Sequence, residues 1–238
     1  MKKWVAMGVL CAVTGGVQAA DDLDNIGALV QGEFRDLSED LGAALSYKAI
    51  APAEPLGITG FDVGIEVSST ALDNDAAFNK ACSGCDISNL YIPKLHLHKG
   101  LPLNLDVGLM YSSVPNSNIK LTGAELRYAF IEGGVAMPAV AVRGTYSKIS
   151  GVDQLDFDTR GLELTVSKGF AMLTPYAGVG TNWVTSTPSA STGLQEEKFT
   201  QSKYYVGANM NLGLMNIAVE ADKTGGAQTI SAKLGLRF

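Results

Sequence analysis

The sequence has no uninterrupted apolar run of the roughly 20 residues that a helix needs to cross a bilayer, which excludes a helical membrane span from the mature chain. It has only two histidines and three cysteines. The one close cysteine pair, Cys82-Ser83-Gly84-Cys85, could complete a zinc site only with both histidines, and His96 and His98 lie 11 and 13 residues beyond Cys85 along a run that reads as one extended strand leading away from it. Basic residues are in deficit as well, 18 against 24 acidic ones, and removal of Lys2 and Lys3 with a leader widens the gap to 16 against 24. Such an acidic chain has no general attraction for nucleic acid, and no nucleic-acid partner is expected. Charge as a whole is sparse, at 18% of residues, and it accompanies 27 glycines and a positive mean hydropathy. That combination is unusual for a water-soluble secreted domain. A barrel whose lipid-facing and lumen-facing residues alternate resolves the conflict.

The two ends of the sequence carry the strongest local signals. Met1, Lys2 and Lys3 precede an apolar run from Trp4 to Val13 and a small, polar stretch from Thr14 to Ala20, the order of a cleaved secretory signal with its exit after Ala19. A lipoprotein signal at Cys11 would need a small residue beside the cysteine, and Val9 and Leu10 are not small. Residues 1–19 are thus expected to be a signal peptide, removed together with Cys11. At the other end, Ile230, Ala232, Leu234, Leu236 and Phe238 alternate with Ser231, Lys233, Gly235 and Arg237. Here the sequence resembles the small, porin-like outer-membrane β-barrels of Gram-negative bacteria, whose last strand ends in Phe. The resemblance implies an outer-membrane location, lipid around the barrel, and recognition of Phe238 as an assembly signal by the barrel assembly machinery. The stretch from Lys168 to Gly180 is similar to stretches of other outer-membrane proteins and adds location and architecture without a substrate.

Periodicity divides the mature chain. From Asp21 to Asp40, Leu23, Ile26, Val30, Phe34 and Leu37 recur at three- and four-residue steps, which predicts a short amphipathic helix, either periplasmic or plugging the lumen. Gly42 to Ile50 reads as a short accessory strand, so residues 20–56 form a helix and accessory segment ahead of a barrel over residues 57–238. From Gly57 onward the period is two, in about ten strands, with eight or twelve as alternatives. The expected class is all-β: a closed antiparallel transmembrane barrel with an even strand number. Short connections such as Glu132 to Met137 fall at one end and the longest, Leu72 to Ser88 and Ser186 to Lys198, at the other. Barrels of this kind keep short turns in the periplasm and long loops outside.

Aromatic residues test that orientation. Tyr91, Tyr111, Tyr146, Trp183 and Tyr204 fall on the outward parity near the long-loop ends of their strands, and Phe61, Tyr128, Phe130 and Phe238 near the short-turn ends. Two girdles at the membrane interfaces are the expectation. Four residues fit badly: Pro93 inside a strand predicts a bulge, Tyr176 falls on the lumen parity, and Asp156 and Asp158 stand on the lipid parity.

The inward parity collects Asp62, Glu66, Lys94, His96, His98, Asp106, Glu125, Arg127, Arg143, Glu163, Glu220, Lys233 and Arg237. Both signs are present in similar number. The expectation is an ion-pair network supporting the wall, with a narrow path for small solutes as the alternative reading. His96 and His98 share one face, with Asp106 expected near His96 across the turn, but no Ser, Cys or metal motif completes a site; neither catalytic residues, metal nor cofactor is expected. Cys82 and Cys85 are expected to form a loop-locking disulfide in an oxidising compartment. Three functional classes follow: a non-enzymatic channel or structural barrel, a surface-binding barrel acting through its external loops, and, less favoured, an outer-membrane enzyme.

Overall fold

The computed structural model describes residues 23, 25–82, 85–113 and 119–238, so the leader expected over residues 1–19 lies outside the described residues. Ten strands follow one another in chain order: β1 Phe61–Ala71, β2 Asn89–Leu101, β3 Leu105–Ser113, β4 Lys120–Glu132, β5 Ala139–Ser150, β6 Leu155–Ser167, β7 Leu173–Pro188, β8 Glu197–Leu212, β9 Met215–Thr224 and β10 Ala227–Arg237. Each pairs antiparallel with its sequence neighbours, and β1 pairs with β10 from Asp62 opposite Arg237 to Ala71 opposite Gln228. Closure leaves no strand edge unpaired, the condition for a β-structure in lipid, where an unsatisfied backbone group has no water to turn to.

Alternation decides which side chain meets lipid. Val63, Ile65 and Val67 on β1, Leu95 and Leu97 on β2, and Leu162, Leu164 and Val166 on β6 are exposed on the outside, while their neighbours in sequence face inward. An apolar exterior around a polar interior inverts the arrangement of a soluble barrel and defines a transmembrane one. Tyr91, Tyr111, Tyr146, Trp183 and Tyr204 are exposed toward the long-loop end, and Tyr128, Phe130 and Phe238 toward the turn end, where Phe61 packs on Phe238.

Several sequence expectations are corrected. The helix α1 spans Gln31–Leu45 rather than starting at Asp21; Ile26–Ala28 is a single 3-10 turn, and Val30 is extended. Glu33 accepts the Val30 backbone N–H, closing the helix start as Glu does three residues into a helix. Gly42 to Leu45 finish this helix, and Ser46 to Ile50 make no ladder, so the expected accessory strand is absent among the described residues. Pro93 causes no bulge. It stays in register opposite Val67, and the β2–β3 ladder begins only at Leu95, so its missing N–H falls beyond that ladder. The bulge lies instead in β4 at Phe130, between Ala129 and Ile131. Leu103 is a turn residue with positive φ, because β2 runs on through Gly100 to Leu101. Gly100 is needed for contact, not turning: a Cβ there would overlap the Gly57 carbonyl, where the chain crosses into β1. The two carboxylates on the lipid parity, Asp156 and Asp158, do face outward, beside Lys148 and Arg160.

Candidate functional site: the filled lumen

The segment before β1 runs through the barrel from end to end. Asn25 donates its backbone N–H to Ala81 at the long-loop end, and Gly60 and Phe61 bond Gly100 and Phe238 at the turn end. Between these points α1 and the extended stretch 46–56 occupy the lumen. Phe34, Leu37, Ala43, Ala44, Tyr47, Lys48 and Ile50 are all buried.

The upper half of the plug is held by apolar packing. Phe34, Leu37 and Leu41 sit on one face of α1 and pack in one cluster with Phe78 of α2 (Asp75–Ala81) and with inward residues of the wall, among them Ile92, Met110, Ile149, Phe157 and Val184. Burying each large side chain contributes about 1.5–3 kcal/mol. Polar latches surround this core. The Asp40 carboxylate accepts the backbone N–H groups of Asp73 and Asn74 at 3.0 and 2.8 Å, and Ser38 bonds Ser186 at 2.8 Å. Burial pushes the Asp40 carboxyl up, whereas the Lys80 ammonium beside Glu33 holds that carboxyl low.

The lower half is held by the lumen charges. Arg143 lies 3.0 Å from Glu125 and 3.1 Å from Glu163, and donates to the Ala51 carbonyl at 3.3 Å. Arg127 pairs with Asp106 at 2.8 Å and donates to the Pro52 carbonyl at 2.5 Å. Lys203 joins Glu163 at 2.7 Å to the Tyr47 carbonyl at 3.1 Å, and Lys48 of the plug forms a fully buried pair with Asp222 at 2.9 Å. Plug N–H groups are matched too: Ala53 donates to Ser167 and Leu56 to Asp106, each at 3.0 Å. Every one of these bonds replaces water that an open lumen would supply, and a buried backbone group without a partner costs about 1–3 kcal/mol.

The remaining inward charges bind one another. Asp62 takes Lys233 and Arg237, and Glu66 takes Lys94 at 3.0 Å and His96 at 2.5 Å. His98 bonds the Tyr47 hydroxyl at 3.1 Å and stands 3.5 Å from Glu125. The expected neighbourhood of His96 and Asp106 is therefore corrected: because the turn lies beyond Leu101, Asp106 falls opposite Gly100, and His96 opposite Met110. Glu220 is buried near Tyr176 and Lys203 with no ion pair of its own within 4.0 Å among the described residues. Among the described residues no three His, Cys, Asp or Glu side chains converge as a metal site. Cys82 and Cys85 are joined by a disulfide just after α2.

Tyr47 enters a slot made by the absence of side chains. A Cβ on Gly108 would lie 2.6 Å from its hydroxyl, and one on Gly123 2.8 Å from its ring. Gly108→Leu is expected to expel the ring and destabilise the barrel by about 1–3 kcal/mol, the usual cost of overpacking. The urea midpoint of the refolded protein measures it, and an unchanged midpoint would mean that Tyr47 does not occupy the slot.

No protein-family model matches the chain, and no curated protein matches it. Among solved structures it is similar to the N-terminal β-barrel domain of Pseudomonas aeruginosa OprF, at 11% identity over 74% of this chain and 97% of that one, with TM-score 0.37. It is similar to the β domain of the Bordetella autotransporter BrkA, at 10% identity over 75% and 99% of the two chains, with TM-score 0.41. The KdgM porin, in complex with disordered oligogalacturonate, matches at 7% identity over 74% and 99%, with TM-score 0.39. The closed barrel itself rests on the ten paired ladders.

Among the lumen residues that contact or surround the plug, Lys203, Tyr205, Tyr47 and Lys48 differ in how far the sequence signals them. Lys203 and Tyr205 stand on the inward parity of β8 next to the outward Tyr204, and the alternation signals them. Tyr47 and Lys48 carry no such signal, because residues 46–50 follow neither a helical nor a strand period once inside the barrel.

Proposed function

We propose that the protein is a non-enzymatic outer-membrane barrel held closed by its own N-terminal segment, through which small solutes pass only when that segment moves. The carrying observation is the matching of plug backbone to wall side chains: the carbonyls of Tyr47, Ala51 and Pro52 each accept from a wall Lys or Arg. A wall built only for rigidity would satisfy those cations with carboxylates alone; here three of them also grip a removable strand of backbone. In this reading the long-loop end faces outside, the short turns face the periplasm, outer-membrane lipid surrounds the band between the aromatic girdles, and Phe238 is read by the assembly machinery during biogenesis.

The test is single-channel recording from the refolded mature chain in a planar bilayer, with a heat-modifiability gel to establish folding. The expected record is a closed baseline with rare, brief openings. A steady open conductance from folded protein would overturn the closed-barrel reading and favour a permanently open pore.

A further inference from the structure

The outward charges at the long-loop end are unexplained by the plug. Arg160 on β6 faces the lipid side, its register partners on the two flanking strands being Tyr146 and Trp183, so the guanidinium stands at the level of the aromatic girdle. Its side chain is 73% exposed, and its carboxylate neighbour Asp158 is 3.7 Å away, too far for a good hydrogen bond. One turn of the alternation higher, Lys148 on β5 lies opposite Asp158 and pairs with Asp156 at 3.0 Å. A charge on the lipid face is costly at mid-bilayer and nearly free at the interface, which fits this height.

We propose that Arg160 and Lys148 form a docking face for the phosphate of an anionic lipid headgroup in the leaflet at the long-loop end. This rests on the membrane-spanning reading and is independent of whether the lumen is closed. The planar fork of a guanidinium matches phosphate oxygens in pairs, and Lys adds a point charge beside it. The face continues the lipid-contacting band directly, so the headgroup arrives there with its acyl chains already against Leu162 and Leu164. Asp156 competes with the phosphate for Lys148 and sets the strength of the site.

Trp183 beside Arg160 supplies the probe, since the other of the two tryptophans is Trp4 in the leader. The chain from Ala20 onward is refolded into phosphatidylcholine vesicles containing, at equal low mole fraction, either phosphatidylglycerol or phosphatidylcholine brominated on its acyl chains. Quenching of Trp183 then reports which lipid sits at the site. Wild type is expected to enrich the brominated phosphatidylglycerol about fivefold, roughly what one basic side chain contributes near an anionic surface. Arg160→Gln brings the two lipids to parity, Arg160→Lys keeps part of the preference, and Asp156→Asn raises it, each on protein shown folded by the heat-modifiability gel. Equal quenching by the two lipids in wild type overturns the proposal while leaving the membrane-spanning reading intact. No quenching by either lipid overturns that reading as well. Abolition of the preference by millimolar inorganic phosphate would assign the face to a soluble anion instead and overturn the lipid source.

Discussion

Removing residues 25–56 is expected to convert the closed barrel into one that conducts steadily. The deletion takes away α1, Tyr47 and the carbonyls gripped by Arg143, Arg127 and Lys203, while Gly57 to Gly60 still lead into β1 and all ten ladders remain. Water can then enter and solvate the charges that the plug had matched. The upper lumen would be lined by Ile92, Met110, Ile149, Phe157 and Val184, so current should meet a dewetted apolar constriction there and a charged one below. Planar-bilayer recording of the folded deletion protein checks this. A deletion protein that migrates as a folded barrel and stays silent would mean that the wall alone closes the lumen.

The second large effect concerns the charge that joins plug to wall. Arg143→Ala leaves Glu125 and Glu163 facing each other without the cation between them and strands the Ala51 carbonyl. Removing one member of a buried network costs about 3–5 kcal/mol, because the other charges stay buried and unmatched. Urea unfolding in lipid vesicles should show that loss. Arg35→Ala is the contrast: Arg35 pairs with Glu39 and Glu197 but is 37% exposed, and exposed pairs contribute about 0–1 kcal/mol. Pairing Arg143→Met with Glu125→Gln should recover part of the loss, since it removes charge of both signs together. Equal effects of the two arginine substitutions would show that the lumen is wet enough to screen its charges.

How much of this was legible before the structure differs between wall and plug. Strict alternation placed every strand, because lipid on one side and a lumen on the other impose opposite chemistry on successive residues. Tyr91, Tyr111, Tyr146, Trp183 and Tyr204 stand exposed on the outward parity for the same reason. Gly100 reads in the sequence as a turn residue, whereas in the structure its missing side chain makes room for Gly57 of the crossing chain and the turn follows Leu101. The course of residues 46–56 was invisible, since a chain surrounded by protein on all sides has no period to display. One clue to it stands in the sequence: Ile92, Met110, Ile149, Phe157 and Val184 occupy inward positions at the long-loop ends of their strands. An apolar ring inside a barrel needs an apolar occupant, and the face of α1 bearing Phe34, Leu37 and Leu41 was the segment able to supply it.

The most direct measurement is thiol accessibility inside the barrel. Ala44→Cys in α1 and Ala51→Cys in the extended stretch place thiols at positions that are 0% and 3% exposed, and Val135→Cys in a turn places one in open solvent. Cys82 and Cys85 remain joined and silent under non-reducing conditions. With a charged, membrane-impermeant maleimide and folded protein, the two plug thiols should label about a hundredfold or more slowly than the Val135→Cys thiol, since labelling must wait for local opening. They should react at the same rate once the barrel is unfolded. Rapid labelling of both plug positions in the folded barrel would contradict a lumen filled by residues 31–56.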